Sequence, residues 1–172
     1  VYLVMASFGT LALLVAFGLL APTGGYVFAD MRLLDHGQLL TGIILCLTLV
    51  GCGSKAGVVP LHAWLPLAHP AAPSHVSALM SGVMTKVAIY GFIRIVFDLL
   101  GPPQTWWSVV VLSVGGITAV LGVLQAMMQN DLKVLLAYST VENVGIIFIG
   151  LGLALAFESG GIHWAAALAF VA

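Results

Sequence analysis

The 172-residue chain is 62% apolar and only 6% of it is Asp, Glu, Lys or Arg, about a quarter of the charge density of an ordinary soluble domain. A mean hydropathy of +1.18 assigns most of its surface to lipid and excludes a soluble globule. Five Lys/Arg against six Asp/Glu leave no basic face for a polyanion, which excludes nucleic acid as a partner.

No charged residue occurs from Val1 to Ala29. At about 20 residues per crossing, the apolar runs predict spans near residues 1–20, 38–60, 76–100, 106–128 and 132–157, with a sixth beginning near Ile162. Backbone groups in hydrocarbon must pair internally, and these runs lack the alternation of a membrane barrel. The expected fold class is therefore all-α, a polytopic transmembrane helix bundle, with residues 1–172 forming a single transmembrane domain.

Val1 opens directly in an apolar run without a basic leader region, so the first span reads as a mature helix and not a signal peptide. It ends at Ala21-Pro22-Thr23-Gly24-Gly25, and a polar loop from Asp30 to His36 leads to the second span. Pro66, Pro70 and Pro73 are expected to prevent a continuous helix between the second and third spans. Gly101-Pro102-Pro103 separates the third from the fourth, and Gln129-Asn130-Asp131 supplies an N-cap for the fifth. The run from Ile162 to Ala172 covers roughly 16 Å, about half the hydrocarbon thickness. Both ends thus read as interior to a longer chain. Arg32 and Lys133 fall on opposite sides, so charge counting leaves orientation open. Cys46 and Cys52 have no metal-ligand neighbours at useful spacing and read as packing residues.

Three ionisable residues sit where a lipid-facing helix would not put them. Lys86 and Glu142 are each about 11 residues into a helix, roughly 16 Å deep and near the bilayer midplane. A charge there costs about 2.5–3.5 kcal/mol on insertion scales, so such residues are expected to face the bundle and to serve transport or proton relay. The third, Lys55, lies in Gly51-Cys52-Gly53-Ser54-Lys55-Ala56-Gly57. Glycine costs about 1 kcal/mol relative to alanine in a helix, making this a place where the helix can open. The competing reading is a close helix contact through Gly53 and Gly57.

On the third span Lys86, Tyr90, Arg94 and Asp98 recur at every fourth position as a polar row, in which Arg94 and Asp98 can pair. Lys86 has no acidic residue three or four positions away, so its counter-charge must come from another helix. Tyr138, Ser139, Thr140, Glu142 and Asn143 make a compact polar patch on the fifth span. Glu142 there is a candidate proton carrier, or else part of an interhelical hydrogen-bond clasp. His62, His69 and His75 are close in sequence but interrupted by prolines and outside the expected mid-spans. They suit capping or pH-sensitive gating better than haem or metal ligation. No nucleophile elbow, phosphate loop or zinc-helix motif occurs, so no catalytic centre and no cofactor are expected.

Gly53-Ser54-Lys55-Ala56-Gly57-Val58-Val59-Pro60-Leu61-His62-Ala63-Trp64-Leu65-Pro66, then Ala72-Pro73-Ser74-His75-Val76-Ser77-Ala78-Leu79, resembles the core of the antiporter-like membrane subunits. These occur in respiratory complex I, in membrane-bound nickel-iron hydrogenases including formate hydrogenlyase, and in multisubunit sodium/proton antiporters. Asp131-Leu132-Lys133-Val134-Leu135-Leu136-Ala137-Tyr138-Ser139-Thr140 is a second matching block. The wording from Leu65 to Val76 and the run Val141-Glu142-Asn143-Val144-Gly145 are most similar to the large antiporter-like subunit of formate hydrogenlyase and its hydrogenase relatives.

The resemblance implies that Lys55 falls on the family's lysine in a discontinuous helix and Lys86 on the lysine of the next helix, both on a hydrated proton path. The chain departs from the largest complex I antiporter subunit, which has a histidine shortly after Val-Ser-Ala-Leu where Met80 and Ser81 stand here. The family's further glutamate, histidines and charged residue belong to helices before and after this stretch. The proton path expected here comprises Lys55, Lys86 and Glu142, with Tyr90, His62, His75 and Ser81 in support.

Two positive charges about 10 Å apart at an effective dielectric near 20 repel by roughly 1.7 kcal/mol, so charging one such lysine helps discharge the other. The expected role is a non-redox membrane subunit of an oxidoreductase or translocase complex in the cell (inner) membrane. Its expected partners are other membrane subunits, a peripheral redox arm and the lipid bilayer. The rival readings are a sodium/proton antiporter subunit and a structural anchor with its charges locked in static pairs.

Overall fold

The computed structural model describes residues 2–21, 28–32 and 37–171. Residues 22–27 and 33–36 lie outside it, so the Pro22 to Gly25 punctuation and most of the Asp30 to His36 loop fall outside the described residues. Every described element is helical: α1 (Tyr2–Leu20), the single turn α2 (Phe28–Met31), α3 (Gln38–Ala56), a 3₁₀ turn (Leu61–Ala63) and α4 (Trp64–Ala71). The third span joins α5 (Ser74–Leu79), a π turn (Met80–Met84), α6 (Thr85–Ile93) and a second π turn (Arg94–Leu99). Then come α7 (Thr105–Met127), α8 (Leu132–Ser159) and α9 (His163–Val171). Five spans, Leu3–Leu20, Gln38–Ala71, Ser74–Leu99, Thr105–Met127 and Leu132–Ser159, are long and apolar enough to cross a membrane.

The expected order of spans is present, with one boundary moved. The second span does not finish near residue 60 but continues, broken, to Ala71. Pro66 lies in the first turn of α4, where its missing N–H would have had no helical partner. Pro70 lies in the last turn of the same helix. The breaks fall instead at Gly57 and at Ala72-Pro73, so His62 and His69 lie within the broken span.

The break has its backbone groups satisfied. Gly57 adopts φ +87°, a left-handed cap, and the N–H groups of Gly57 and Val58 both reach the Gly53 carbonyl at 2.9 and 2.8 Å. That leaves the Ser54 carbonyl without Val58 as a donor, and the buried Trp64 indole N–H takes it at 2.7 Å. Val59 N–H donates sideways to Thr118 Oγ1 on α7 at 3.2 Å. The break is a built feature, and Gly57 serves as a cap and not as a helix contact.

The close helix contacts lie elsewhere. An added Cβ at Gly51 of α3 would stand 3.0 Å from the Gly9 carbonyl of α1. The antiparallel pair α7 and α8 is closer still: a Cβ at Gly145 would meet Ala119 N at 2.4 Å, and one at Gly115 would meet Ile149 N at 2.8 Å. Without a hydrophobic drive inside lipid, such small-residue contact is what gives dispersion enough area to hold helices together. The core links α1, α3, α6, α7 and α8 through Leu20, Leu45, Phe92, Trp107 and Phe148, with the Phe92 and Phe148 rings 5.0 Å apart. Trp64 and Leu65 of α4 form a second cluster with Ala137 and Val141 of α8.

Asp131 is the N-cap residue of α8, but its side chain makes no capping bond. Cys52 is buried as a packing residue should be, whereas Cys46 is exposed.

Candidate functional site

Lys55 occupies the last turn of α3, just before the cap at Gly57, and is half-buried. It lines a 360 Å³ cavity with Leu13, Phe17, Cys52, Met84 and Ala88, and also a 140 Å³ cavity with Ser54, Trp64 and Met84. Among the described residues no hydrogen bond or ion pair reaches its ammonium. The sequence reading of Lys55 as a midspan charge at an opening in its helix therefore coincides with a hollow in the packing. Met84, which closes the π turn of the third span, borders both hollows.

Lys86 lies two residues beyond Met84 and is exposed, as is Tyr90. It does not point into the described bundle, as a midspan lysine was expected to do. Its ammonium donates to the Ser81 carbonyl at 2.8 Å. That carbonyl also accepts the Thr85 hydroxyl at 2.9 Å. The π turn over Met80–Met84 widens the ladder around this carbonyl, and such turns recur at functional sites because they free backbone acceptors. Farther along, Asp98 accepts from Arg94 at 3.0 Å, the pair expected from spacing. It also accepts from Arg32 at 2.7 Å, which spacing gave no way to foresee. Arg94 lies 5.9 Å over the Phe28 ring.

A second polar region connects to Lys86. The buried His69 bonds Ser77 Oγ through Nδ1, joining α4 to α5 across the turn at Pro73. Ser81 follows Ser77 by one turn, and its hydroxyl meets Thr140 Oγ1 of α8 at 3.0 Å. These groups, with Lys133, Ser139 and Asn143, line a 440 Å³ cavity. Lys133 Nζ donates to the Ala72 carbonyl at 3.3 Å. His69, Ser77, Ser81 and Thr140 thus make a row of imidazole and hydroxyl groups along this cavity, beside the carbonyl that holds Lys86. The sequence reading gave His69 a capping or gating role but did not foresee its bond to Ser77; Ser77 and Ser81, four apart and followed by Lys86 five on, were the available signal. His75 is exposed and is not among the cavity's lining groups.

The polar patch expected on the fifth span is two patches. Ser139, Thr140 and Asn143 face the His69 cavity. Tyr138 and Glu142, one helical turn apart, lie on the side toward α7 and the break. The Tyr138 ring is 6.4 Å from His62, and the Glu142 backbone packs on Gly122. His62 Nε2 bonds Gln125 Oε1 of α7 at 3.2 Å. Among the described residues no three His, Cys, Asp or Glu side chains gather as a metal site.

The family pattern described as NADH:quinone oxidoreductase/Mrp antiporter, TM, matches residues 1–170. The chain belongs to this family. It is 47% identical over 157 residues to hydrogenase-4 component B of Escherichia coli, covering 90% of this chain and 23% of that protein. Formate hydrogenlyase subunit 3 of the same species is 42% identical over 147 residues, covering 84% of this chain and 24% of its own length. A solved chain in the Mrp complex from Dietzia sp. DQ12-45-1b superposes with a TM-score of 0.79 at 28% identity, covering 98% of this chain and 33% of that one. The chain spans about a quarter of the length of the curated relatives it matches. It is a multi-pass membrane segment of the antiporter-like family, whose named relatives are subunits of multisubunit membrane complexes.

Proposed function

We propose that this chain is part of a proton-translocating subunit of a redox-driven complex of the hydrogenase or formate hydrogenlyase type, seated in the cell membrane. In this reading Lys55 and Lys86 carry the proton and Glu142 belongs to the same path. The observation that carries it is Lys55: a midspan lysine at the end of a broken helix, lining two cavities, with no carboxylate bonded to it among the described residues. A lysine serving only as structural glue would be held by a partner, whereas one that must gain and lose a proton needs room for water. The His69–Ser77–Ser81–Thr140 row supplies hydroxyl groups leading to Lys86, and Ser81 supports the path through its carbonyl. The higher identity to hydrogenase subunits than to the Mrp chain supports the redox-driven assignment over sodium/proton exchange. Its partners would be further membrane subunits and a peripheral redox arm.

The test is Lys55→Ala in the full-length subunit within its assembled complex. Electron transfer and subunit content should persist while proton pumping is lost. Pumping at the unaltered level would refute the assignment.

A further inference from the structure

The break crosses the groove between α7 and α8 and leaves two complementary groups without partners. Val59 is tied to Thr118 and His62 to Gln125. On α7 these two anchors lie about one turn to either side of Gly122. Gly122 has no Cβ, and the space is taken by Glu142: a Cβ there would stand 2.8 Å from Glu142 N and 3.2 Å from its Cβ. Glu142 therefore leaves α8 at the height where the break passes. One turn earlier on α8, Tyr138 places its ring 6.4 Å from that of His62.

The proton inventory follows from the hydrogen bonds. Gln125 Oε1 can only accept, so Nε2 of His62 carries a hydrogen, and in the neutral imidazole Nδ1 is then the lone pair. Nδ1 is buried and has no partner. Glu142 is half-buried, and among the described residues no hydrogen bond or ion pair reaches its carboxyl. The remaining groups on this groove are Thr118 and Gln125 on α7, both neutral, and Tyr138 on α8, while Lys133 and Glu158 stand at the two ends of α8. His69 of α4 is engaged with Ser77, and Lys55 lines the cavities bordered by α1, α4 and the third span.

We propose that Glu142 and His62 form a proton-exchanging pair across the broken helix. A proton taken up by the Glu142 carboxyl passes to Nδ1 of His62 when rotation of the two side chains brings them into contact, directly or across one water. This leaves a carboxylate beside an imidazolium whose Nε2–H stays on Gln125. Passing that proton to water in the path restores the neutral imidazole. The pair deepens the proton-path reading above and rests on it.

The experiment uses the complete complex in sealed vesicles and reads protons moved per electron transferred. Glu142→Gln and His62→Gln should each lower the ratio at least fivefold with subunit content unchanged. The double variant should be no worse than the poorer single one, and Glu142→Asp should retain at least half the ratio. A full ratio in Glu142→Gln, or a double variant at the product of the two single losses, overturns the pair. Lys55→Ala is run alongside. If it pumps normally the path reading itself falls, whereas a dead Lys55→Ala beside a fully active Glu142→Gln overturns the pair alone. Should Glu142→Gln fail to assemble, infrared difference spectra of the His62→Gln complex decide. A shifted protonated-carboxyl band that Glu142→Asp also moves supports the pair, and a band unchanged in His62→Gln overturns it.

Discussion

Replacing Gly145 by alanine tests whether the α7–α8 contact holds the site together. The new Cβ would stand 2.4 Å from Ala119 N, 2.8 Å from Ala119 Cα and 2.9 Å from the Gly115 carbonyl oxygen. All three are backbone atoms, so no rotamer change relieves the clash, and the two helices must separate by roughly 1 Å to restore ordinary contact. Overpacking of this kind costs about 1–3 kcal/mol. Gly116 is the control, since a Cβ there meets nothing within 4 Å. Alanine at that position should be neutral or stabilising by up to about 1 kcal/mol through helix propensity. Reversible unfolding of the full-length subunit in mixed micelles, followed by helicity against denaturing detergent, measures both. Gly145→Ala as stable as Gly116→Ala would refute the reading of this contact as close-packed backbone.

Two further substitutions probe the break and the hydroxyl row in the same assay. Gly57→Ala must hold φ near +87° with a side chain, at a cost of about 1–2 kcal/mol; unchanged stability would mean that the break is not held in this left-handed form. Thr140→Val removes the acceptor of Ser81 Oγ and should cost about 0.6 kcal/mol, at most about 1.7, the range of interhelical hydrogen bonds in membranes. A loss well above that would show Thr140 doing more than holding Ser81.

The spans were legible because hydropathy over about 20 residues is a local property that lipid enforces everywhere. The opening beside Lys55 was legible too, since glycine clustering weakens a helix whatever surrounds it. The continuation of the second span to Ala71 was not. Proline is tolerated in the first turn of a helix, where its missing N–H has no use, and whether Pro66 falls in a first turn depends on where the preceding break ends. The division of the Tyr138 to Asn143 patch was implicit in helical periodicity, because Tyr138 and Glu142 share one face while Ser139 and Asn143 share another. Which face met which neighbour required the packing. The Arg32–Asp98 bond and the His69–Ser77 bond join residues on different elements, and spacing carries no information about either.

The sequence alone determined that this is a helical membrane chain of the antiporter-like family with lysines inside its spans. Composition, run length and motif wording are local, and the cost of exposing backbone in hydrocarbon leaves one class of solution. Only the tertiary structure decided what each ionisable group faces. It set Lys55 on two cavities and Lys86 on a carbonyl at the exposed edge of a π turn. It also brought Glu142 to the height of His62, because close approach of α7 and α8 at glycine places the carboxyl-bearing turn where the broken helix crosses.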